Sequence, residues 1–551
     1  MSKHRLSSAQ LPASKRTHSS LAHDLDSISF ESLSEELVLH IFSYLSYQGL
    51  CISQSTSSSW SRLATDNELW KNLYLRTFGR PRLRGARGFV RRTDGQEVKS
   101  LPGRAKADQS KNWKWMFRIT CNWRNGRCAV ERLKTTVRAP ELSKKARILL
   151  AGSLVITATS QSSASPSICL QTVTGEELTL ACPTAHPEGI TALVLDQSVP
   201  STRQLRLGAF LTSGEFRIFS VNHDHPSSYC DELSYTPSRN SNRTSPVIHA
   251  AYHHPLLITL SEAFILSVYD LSSGSAVLRQ TLSTFTSFPP TSLVLSTNSS
   301  STYKLVIAYA IPVYPAHWTV GATEIIIAGP SSDSRSRHSS SYLVPESHSP
   351  MTILSTRTAR ALDVPQGWVD ERKLRIMREQ WARKVSCVAD TQTDGKWVVL
   401  APDDPRLRLS LSSSNPSAAS DAPFASTSSL YSPTSLQLYR LFLPSATSVS
   451  SSSPKLTFVC TLHGQLGPVA ALSLSDGRCV SFGVNGSVWV WDLESVLDGC
   501  FSRGGTEVAG PSFGDSLDPD HTANAKRTVS FDERRIVTST DERVVERRFD
   551  I

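Results

Sequence analysis

Gly467-Pro-Val-Ala-Ala-Leu-Ser-Leu-Ser-Asp-Gly-Arg-Cys-Val-Ser-Phe-Gly-Val-Asn-Gly-Ser-Val-Trp-Val-Trp-Asp492 reads as strand, turn, strand, turn, strand. Apolar residues run in alternation or in short unbroken blocks on either side of Asp476-Gly477 and Asn485-Gly486, which is the pattern of short strands in a buried sheet. Both dipeptides favour hairpins, because Gly tolerates the positive φ that tight loops require.

The pattern recurs along the chain. Residues 189–221 place Ser213-Gly214 before Phe216-Arg-Ile-Phe219, residues 246–282 carry Leu266-Ser-Val-Tyr-Asp270, and residues 528–551 carry Val544-Val-Glu-Arg-Arg-Phe549. Further β runs occupy 149–157, 292–308, 385–400 and 436–443. A unit of three or four antiparallel strands, repeated about every 40 residues, buries both faces only by stacking radially on its copies. The expectation is an all-β propeller of about seven blades over residues 146–551. Helical periodicity is nearly absent there except at 369–383, where Leu374, Met377 and Trp381 would share one side of a helix; such a stripe reads first as packing. Two stretches, 329–350 and 402–454, are rich in Ser, Pro and Ala. They read as disordered low-complexity insertions in blade loops, unable to form core.

A chain of 551 residues exceeds the size at which one core stops growing, so more than one domain is expected. Hydrophobic residues make up 39% and charged residues 19%, with mean hydropathy −0.20, which fits a folded core with a surplus of uncharged polar sequence. The net charge of +10 is uneven: residues 1–150 hold 27 Lys and Arg against 12 Asp and Glu, so the rest carry 31 (58 − 27) against 36 (48 − 12). Residues 1–26 are polar, Ser-rich and basic and read as a disordered terminus. Residues 79–110 read as a basic linker in which Arg80, Arg82, Arg84, Arg87, Arg91 and Arg92 cluster with one aromatic, Phe89. That is a weak signal for nucleic acid and the ordinary composition of a solvated linker.

Between them, residues 27–78 turn sharply helical. Ser32 and Glu35 stand at capping-box spacing, and Leu37, Ile41 and Leu45 recur every fourth residue beside Val38 and Phe42, giving one wide apolar face. Apolar periodicity resumes from Trp60 through Leu63, Leu69, Trp70, Leu73 and Tyr74 to Phe78. About three helices are expected, near the lower size limit for independent folding. Residues 111–145 follow as a connector whose Trp113, Trp115, Phe117 and Trp123 suit it to packing on its neighbours.

Catalytic signatures are missing: the chain has no GxxxxGK[ST], no HExxH and no GxGxxG between strand and helix. Gly510-Pro-Ser-Phe-Gly514, with Asp518, Asp520 and His521 nearby, matches GxSxG in letters, but that motif needs a strand entering and a helix leaving the turn, and Pro511 lies in a loop between blades. Ten cysteines without CxxC and histidines without ligand spacing call for no metal, no cofactor and no disulfide framework. The first residues lack the apolar core of a secretory signal. Residues 305–323 are uncharged but contain Pro312, Pro315, His317 and Gly321, which suits two buried strands and a turn rather than a membrane span. An intracellular protein, in cytoplasm or nucleus, is expected.

Leu33-Ser-Glu-Glu-Leu37, Val38-Leu-His-Ile41-Phe42-Ser-Tyr44-Leu45-Ser46, Leu50, Trp60 and Leu69-Trp70-Lys-Asn-Leu73-Tyr74 together resemble the F-box. Ser34 stands where that family has Pro, Gly49 where it has an acidic residue, and Thr56 where Val is common. An F-box, a Trp-rich connector and a propeller with Trp491-Asp492 resemble the F-box/WD-repeat proteins, substrate receptors of Skp/cullin/F-box ubiquitin ligases. The resemblance implies a non-enzymatic receptor in which Leu33, Leu37, Ile41, Phe42, Leu45, Trp60 and Trp70 are divided between a small core and the surface that meets a Skp-type adaptor, which in turn holds the cullin. It implies a protein target on the propeller, phosphorylated where arginines read it, with Arg217, Arg440 and Arg478 as candidates. The rival reading is a propeller scaffold associated with nucleic acid through the basic linker.

Overall fold

The computed structural model describes residues 33–87, 112–133, 146–172, 175–198, 204–222, 227–237, 245–284, 287–299, 302–314, 316–329, 351–362, 367–403, 435–443, 454–465, 467–496, 504–511, 527–540 and 543–551. The chain divides into two compact units, Met1–Tyr74 and Leu75–Ile551.

The first unit is helical: α1 (Glu35–Phe42), α2 (Tyr47–Ser53), α3 (Ser58–Ala64) and the start of α4 (Asn67–Arg87). Four helices stand where about three are expected, because the serines of this stretch act as caps. The Ser46 side chain accepts from the Gly49 amide, and the Ser57 side chain accepts from the Trp60 amide. Ser34 is the N-cap of α1, without a side-chain cap bond, and Ser32, the capping-box residue, lies outside the described residues. Backbone helix continues to Arg87, so the linker begins later than residue 79. Arg91 and Arg92 lie outside the described residues, as do the side chains of Arg80, Arg82, Arg84 and Arg87.

The second unit contains α5 (Trp113–Asn125) and seven four-stranded antiparallel sheets. Blade one is β2 (Ala146–Ala151), β3 (Leu154–Thr159), β4 (Ser167–Gln171) and β5 (Glu177–Ala181). Blade two is β6 (Ile190–Leu195), β7 (Gln204–Leu211), β8 (Phe216–Asn222) and β9 (Tyr229–Tyr235). Blade three is β10 (Val247–His253), β11 (Leu256–Ser261), β12 (Ile265–Asp270) and β13 (Val277–Ser283). Blade four is β14 (Phe288–Ser299), β15 (Thr302–Val313), β16 (His317–Ala328) and β17 (Thr352–Arg360). After α6 (Glu371–Ala382), blade five is β18 (Cys387–Thr393), β19 (Trp397–Asp403), β20 (Leu436–Phe442) and β21 (Lys455–Leu462). Blade six is β22 (Val469–Ser475), β23 (Arg478–Gly483), β24 (Val488–Asp492) and β25 (Thr506–Ala509). Blade seven is β26 (Thr528–Phe531), β27 (Arg535–Ser539), β28 (Val544–Arg548) and, as its outer strand, β1 (Ala129–Leu133).

First strands of neighbouring blades touch all the way round, β22 meeting β26 and β26 meeting β2, so the ring is closed. Apolar clusters fill every blade interface, which is how sheets with two apolar faces are covered. The quoted stretch is β22 to β24, and its first turn has positive φ at both Asp476 (49°) and Gly477 (69°), the geometry of a two-residue hairpin that follows the strand twist. The uncharged residues 305–323 are the β15–β16 hairpin.

Two expectations are corrected. The connector 111–145 holds β1, which pairs antiparallel with β28 from Ala129 opposite Arg548 to Leu133 opposite Val544, so the propeller takes its last strand from before residue 146. Val130 is exposed and the burial pattern of β1 is mostly open, as for an outer strand, which leaves little periodicity to read. The insertion bounds 402–454 are too wide: the β run expected at 436–443 is β20, whose Leu436, Leu438, Tyr439 and Leu441 are buried, so serine-rich sequence flanks a core strand there. The insertions at 330–350, 404–434 and 444–453 and the terminus 1–26 lie outside the described residues.

Candidate functional site

In the helical unit, α1 separates two sets of apolar residues by one helical face each. Val38 and Phe42 are buried together with Leu50, Leu63, Leu69, Trp70, Leu73 and Tyr74. Leu37 and Ile41 stay 51% and 40% exposed, and Tyr44, the next position on their stripe, is more exposed still. Tyr47 and Ile52 on α2 are exposed as well. Five large apolar side chains open to solvent on a module this small are the kind of surface that marks a contact site. Beside it Arg62 pairs with Glu35 at the open surface, and a backbone hydrogen bond, with help from the Ser34 side chain, holds the Glu36 carboxyl below its ordinary value, as suits an anion in the first turn of a helix.

The structure thus sorts the seven candidates that the sequence offers. Phe42 and Trp70 are core, at 1% and 2% exposure, and the Trp70 indole donates to the Ala64 carbonyl at 2.8 Å. Trp60 is half-buried and meets Phe42 edge-on, ring centroids 5.4 Å apart. Leu33 and Leu45 are half-buried, and only Leu37 and Ile41 are open. Tyr44 and Ile52 were not among the candidates; the i, i+4, i+7 run of Leu37, Ile41 and Tyr44 is the signal that finds the first of them.

In the propeller, strand order gives each blade two ends. The connections from first to second and from third to fourth strand lie on one face of the ring, and the remaining connections on the other. Helix α5 lies on the first of these faces. The Trp123 indole donates to the Glu533 carbonyl at 2.9 Å, between β26 and β27, the Asn122 amide donates to the Phe549 carbonyl beyond β28, and the Thr506 hydroxyl at the start of β25 donates to the Arg124 carbonyl. Phe78 packs on Phe117 of α5, centroids 5.0 Å apart.

The three candidate arginines are not brought together. Arg217 stands at the start of β8 on the face opposite α5, 3.3 Å from Asp231 and donating to the Pro183 carbonyl. Arg440 on β20 lies 5.2 Å from the ring centroids of both Trp397 and Phe442. Arg478 at the start of β23 lies 4.2 Å over the Trp123 ring, on the α5 face. Each is engaged in packing or pairing within a different blade.

Residues 30–76 match the F-box-like family, and residues 160–547, well over half of the chain, match the F-box protein pof12 beta-propeller. The chain belongs to the F-box protein pof12 beta-propeller family. Comparison with curated proteins returns no match. Its architecture is accordingly a helical F-box followed by a seven-bladed propeller, and the exposed Leu37, Ile41, Tyr44 and Ile52 lie within the F-box match.

Among the described residues of this F-box protein the remaining motifs gather no site. Gly510 and Pro511 follow the outer strand β25, and Ser512, Phe513, Gly514, Asp518, Asp520 and His521 lie outside the described residues. His254 has its backbone amide on Asp196 Oδ1 at 3.0 Å and its ring 3.3 Å from the Tyr252 hydroxyl. Among the described residues no group of three or more His, Cys, Asp or Glu is placed to hold a metal ion, and no helix is long and apolar enough to cross a membrane.

Proposed function

We propose that the protein is the substrate receptor of a Skp/cullin/F-box ubiquitin ligase, working as a non-enzymatic bridge inside the cell, in cytoplasm or nucleus. F-box domains generally bind Skp-type adaptors, and F-box propeller families are typically adaptors or receptors rather than catalysts. The observation that carries the reading for this chain is the exposure of Leu37 and Ile41 on α1, beside the buried Val38 and Phe42, with Tyr44 exposed just past the end of the helix. Leaving these side chains part-exposed forgoes a share of the roughly 1.5–3 kcal/mol that full burial of a large apolar side chain gives, and an adaptor helix or groove that covers them recovers it. In this role Phe42 and Trp70 support the surface from below, and Leu33, Leu45 and Trp60 form its margin.

The target then sits on the propeller face opposite α5. Of the three arginines, Arg217 alone lies on that face, which favours a target contact there over one at Arg440 or Arg478. The test is co-elution of the full chain with a purified Skp-type adaptor and cullin. A stoichiometric ternary complex is expected; a folded chain that elutes alone at about 10 μM of each component overturns the proposal.

A further inference from the structure

Helix α6 lies in the connection from β17 to β18, on the propeller face opposite α5. Asp370 caps it, its carboxylate accepting from the Lys373 amide at 2.8 Å, and Met377 is its buried residue. Packing alone does not account for the rest of the helix. Leu374, Ile376 and Trp381 are exposed, and Trp368, two residues before the cap, is 93% exposed. Leu374 and Trp381, 39% and 37% exposed, flank the buried Met377 at i, i+3, i+7 and form the half-open margin of the packed face, with Arg378 beside them and Ile376 on another side of the helix.

The helix and its C-terminal flank carry a surplus of positive charge: Arg372, Lys373, Arg375, Arg378, Arg383 and Lys384 outnumber Asp370, Glu371 and Glu379, with Arg375 and Arg383 both paired to Glu379. Arg375 lies 3.6 Å from Glu379, and Arg383 covers the Phe458 ring at 4.3 Å. Lys384 lies 5.9 Å over the Trp381 ring and close enough to His317 to add to the burial that lowers its proton affinity. Just beyond, Val385 exchanges both backbone hydrogen bonds with Trp318, at 2.7 and 2.9 Å. This ties the end of α6 to the tip of the β15–β16 hairpin, where Tyr314, His317, Trp318 and Ser386 help to line an open cavity of about 550 Å³. The His317 Nδ1 is shut off from solvent there without a hydrogen-bond partner.

We infer that α6 and the adjoining hairpin tip form a docking surface for an acidic linear segment of the target protein that carries a bulky apolar anchor. This deepens the receptor reading and rests on it for the word target. The cations supply the charge complement, Leu374 and Trp381 supply the apolar contact, and exposed aromatics and arginines are the side chains that dominate such interfaces. The 12 residues of α6 span ~18 Å, which an extended segment of about six residues matches. A polyanion is disfavoured because the chain after residue 150 is net negative, 31 against 36, which opposes a long polyanion over the propeller surface. Aliphatic Leu374 and Ile376 also offer no stacking platform for bases.

The test uses the full chain and a fluorescein-labelled peptide of about eight residues, long enough to span the helix, with Asp and Glu flanking a central Leu-Phe pair. Its Lys-substituted counterpart, a single-stranded RNA oligonucleotide, and phosphatidylserine/phosphatidylcholine vesicles are titrated alongside. Saturable binding of the acidic peptide is expected, weakened by added salt and by about tenfold or more in both Arg378→Glu/Lys384→Glu and Trp381→Ala, with the melting temperature of each variant unchanged. Absence of saturable peptide binding, equal affinity in both variants, or α6-dependent binding of RNA or vesicles in place of the peptide overturns it. Adaptor binding is read on the same samples: its loss with peptide binding intact sinks the receptor reading and leaves the docking surface standing.

Discussion

The Trp123 indole stacks on the Phe549 ring, centroids 3.8 Å apart and planes 14° from parallel. With Arg478 over Trp123 and the Trp123 Nε1 bonded to Glu533, one side chain of α5 locks onto blades six and seven. It stands six residues before β1, the strand that completes blade seven. Trp123→Ala is expected to cost about 3–5 kcal/mol, the range for emptying a buried aromatic site. Arg478→Ala is expected to cost less, about 0.5–2 kcal/mol. Urea unfolding of the two variants checks the order; equal costs would contradict it.

Ring closure between blades seven and one rests on a buried pair. Arg535 and Glu546 are each 4% exposed and 2.9 Å apart, and the same guanidinium donates to the Gly152 and Leu154 carbonyls of blade one. Glu546→Ala is expected to destabilise by about 1–3 kcal/mol, because it removes one buried charged partner while Asp532, 3.1 Å from the Arg535 Nε, keeps the guanidinium paired. Arg535→Met/Glu546→Leu is expected to recover part of that loss in the same denaturation measurement.

Acid sensitivity has a local source in blade three. Burial pushes the Asp270 carboxyl up, but hydrogen bonds from Ser272 and Arg279 outweigh it and hold it below its ordinary value. A carboxyl depressed in the folded state stabilises above its unfolded pKa, and that contribution fades as pH falls through the folded value. Asp270→Asn is therefore expected to cost about 1–3 kcal/mol near neutrality. The gap from wild type should close on acidification below the usual carboxylate range; a gap that widens in acid would refute the assignment.

The nine cysteines described are free, and their reactivity should follow exposure. Burial pushes Cys169 up to about 12 and Cys182 to about 11, and raises Cys479 as well, while Cys51 and Cys230 are exposed. Iodoacetamide at neutral pH is expected to label Cys51 and Cys230 first, and Cys182 and Cys479 only in denaturant, as peptide mass spectrometry will show.

The propeller is legible in the sequence wherever a turn dipeptide separates two apolar runs, as at Asp476-Gly477, because the same residues that set the hairpin also set the buried faces. It is illegible where a strand has no such partner nearby. β1 pairs with a strand more than 400 residues away, Ala129 opposite Arg548, and no local pattern encodes that. The F-box stripe is half legible: periodicity finds Leu37, Ile41 and Phe42 together, but only the packing of α2 to α4 decides that Phe42 faces inward and Leu37 outward. Arg217, Arg440 and Arg478 show the limit of composition, since a strand position does not say which blade or face an arginine joins.

Adaptor binding by the full chain, compared with Leu37→Asp/Ile41→Asp, tests the central claim most directly. Both positions are exposed, so the double variant is expected to keep its melting temperature and circular dichroism while losing adaptor affinity by about a hundredfold or more, as at interface hot spots. Equal affinity of the folded variant and the wild type, or no adaptor binding by either, would contradict the account.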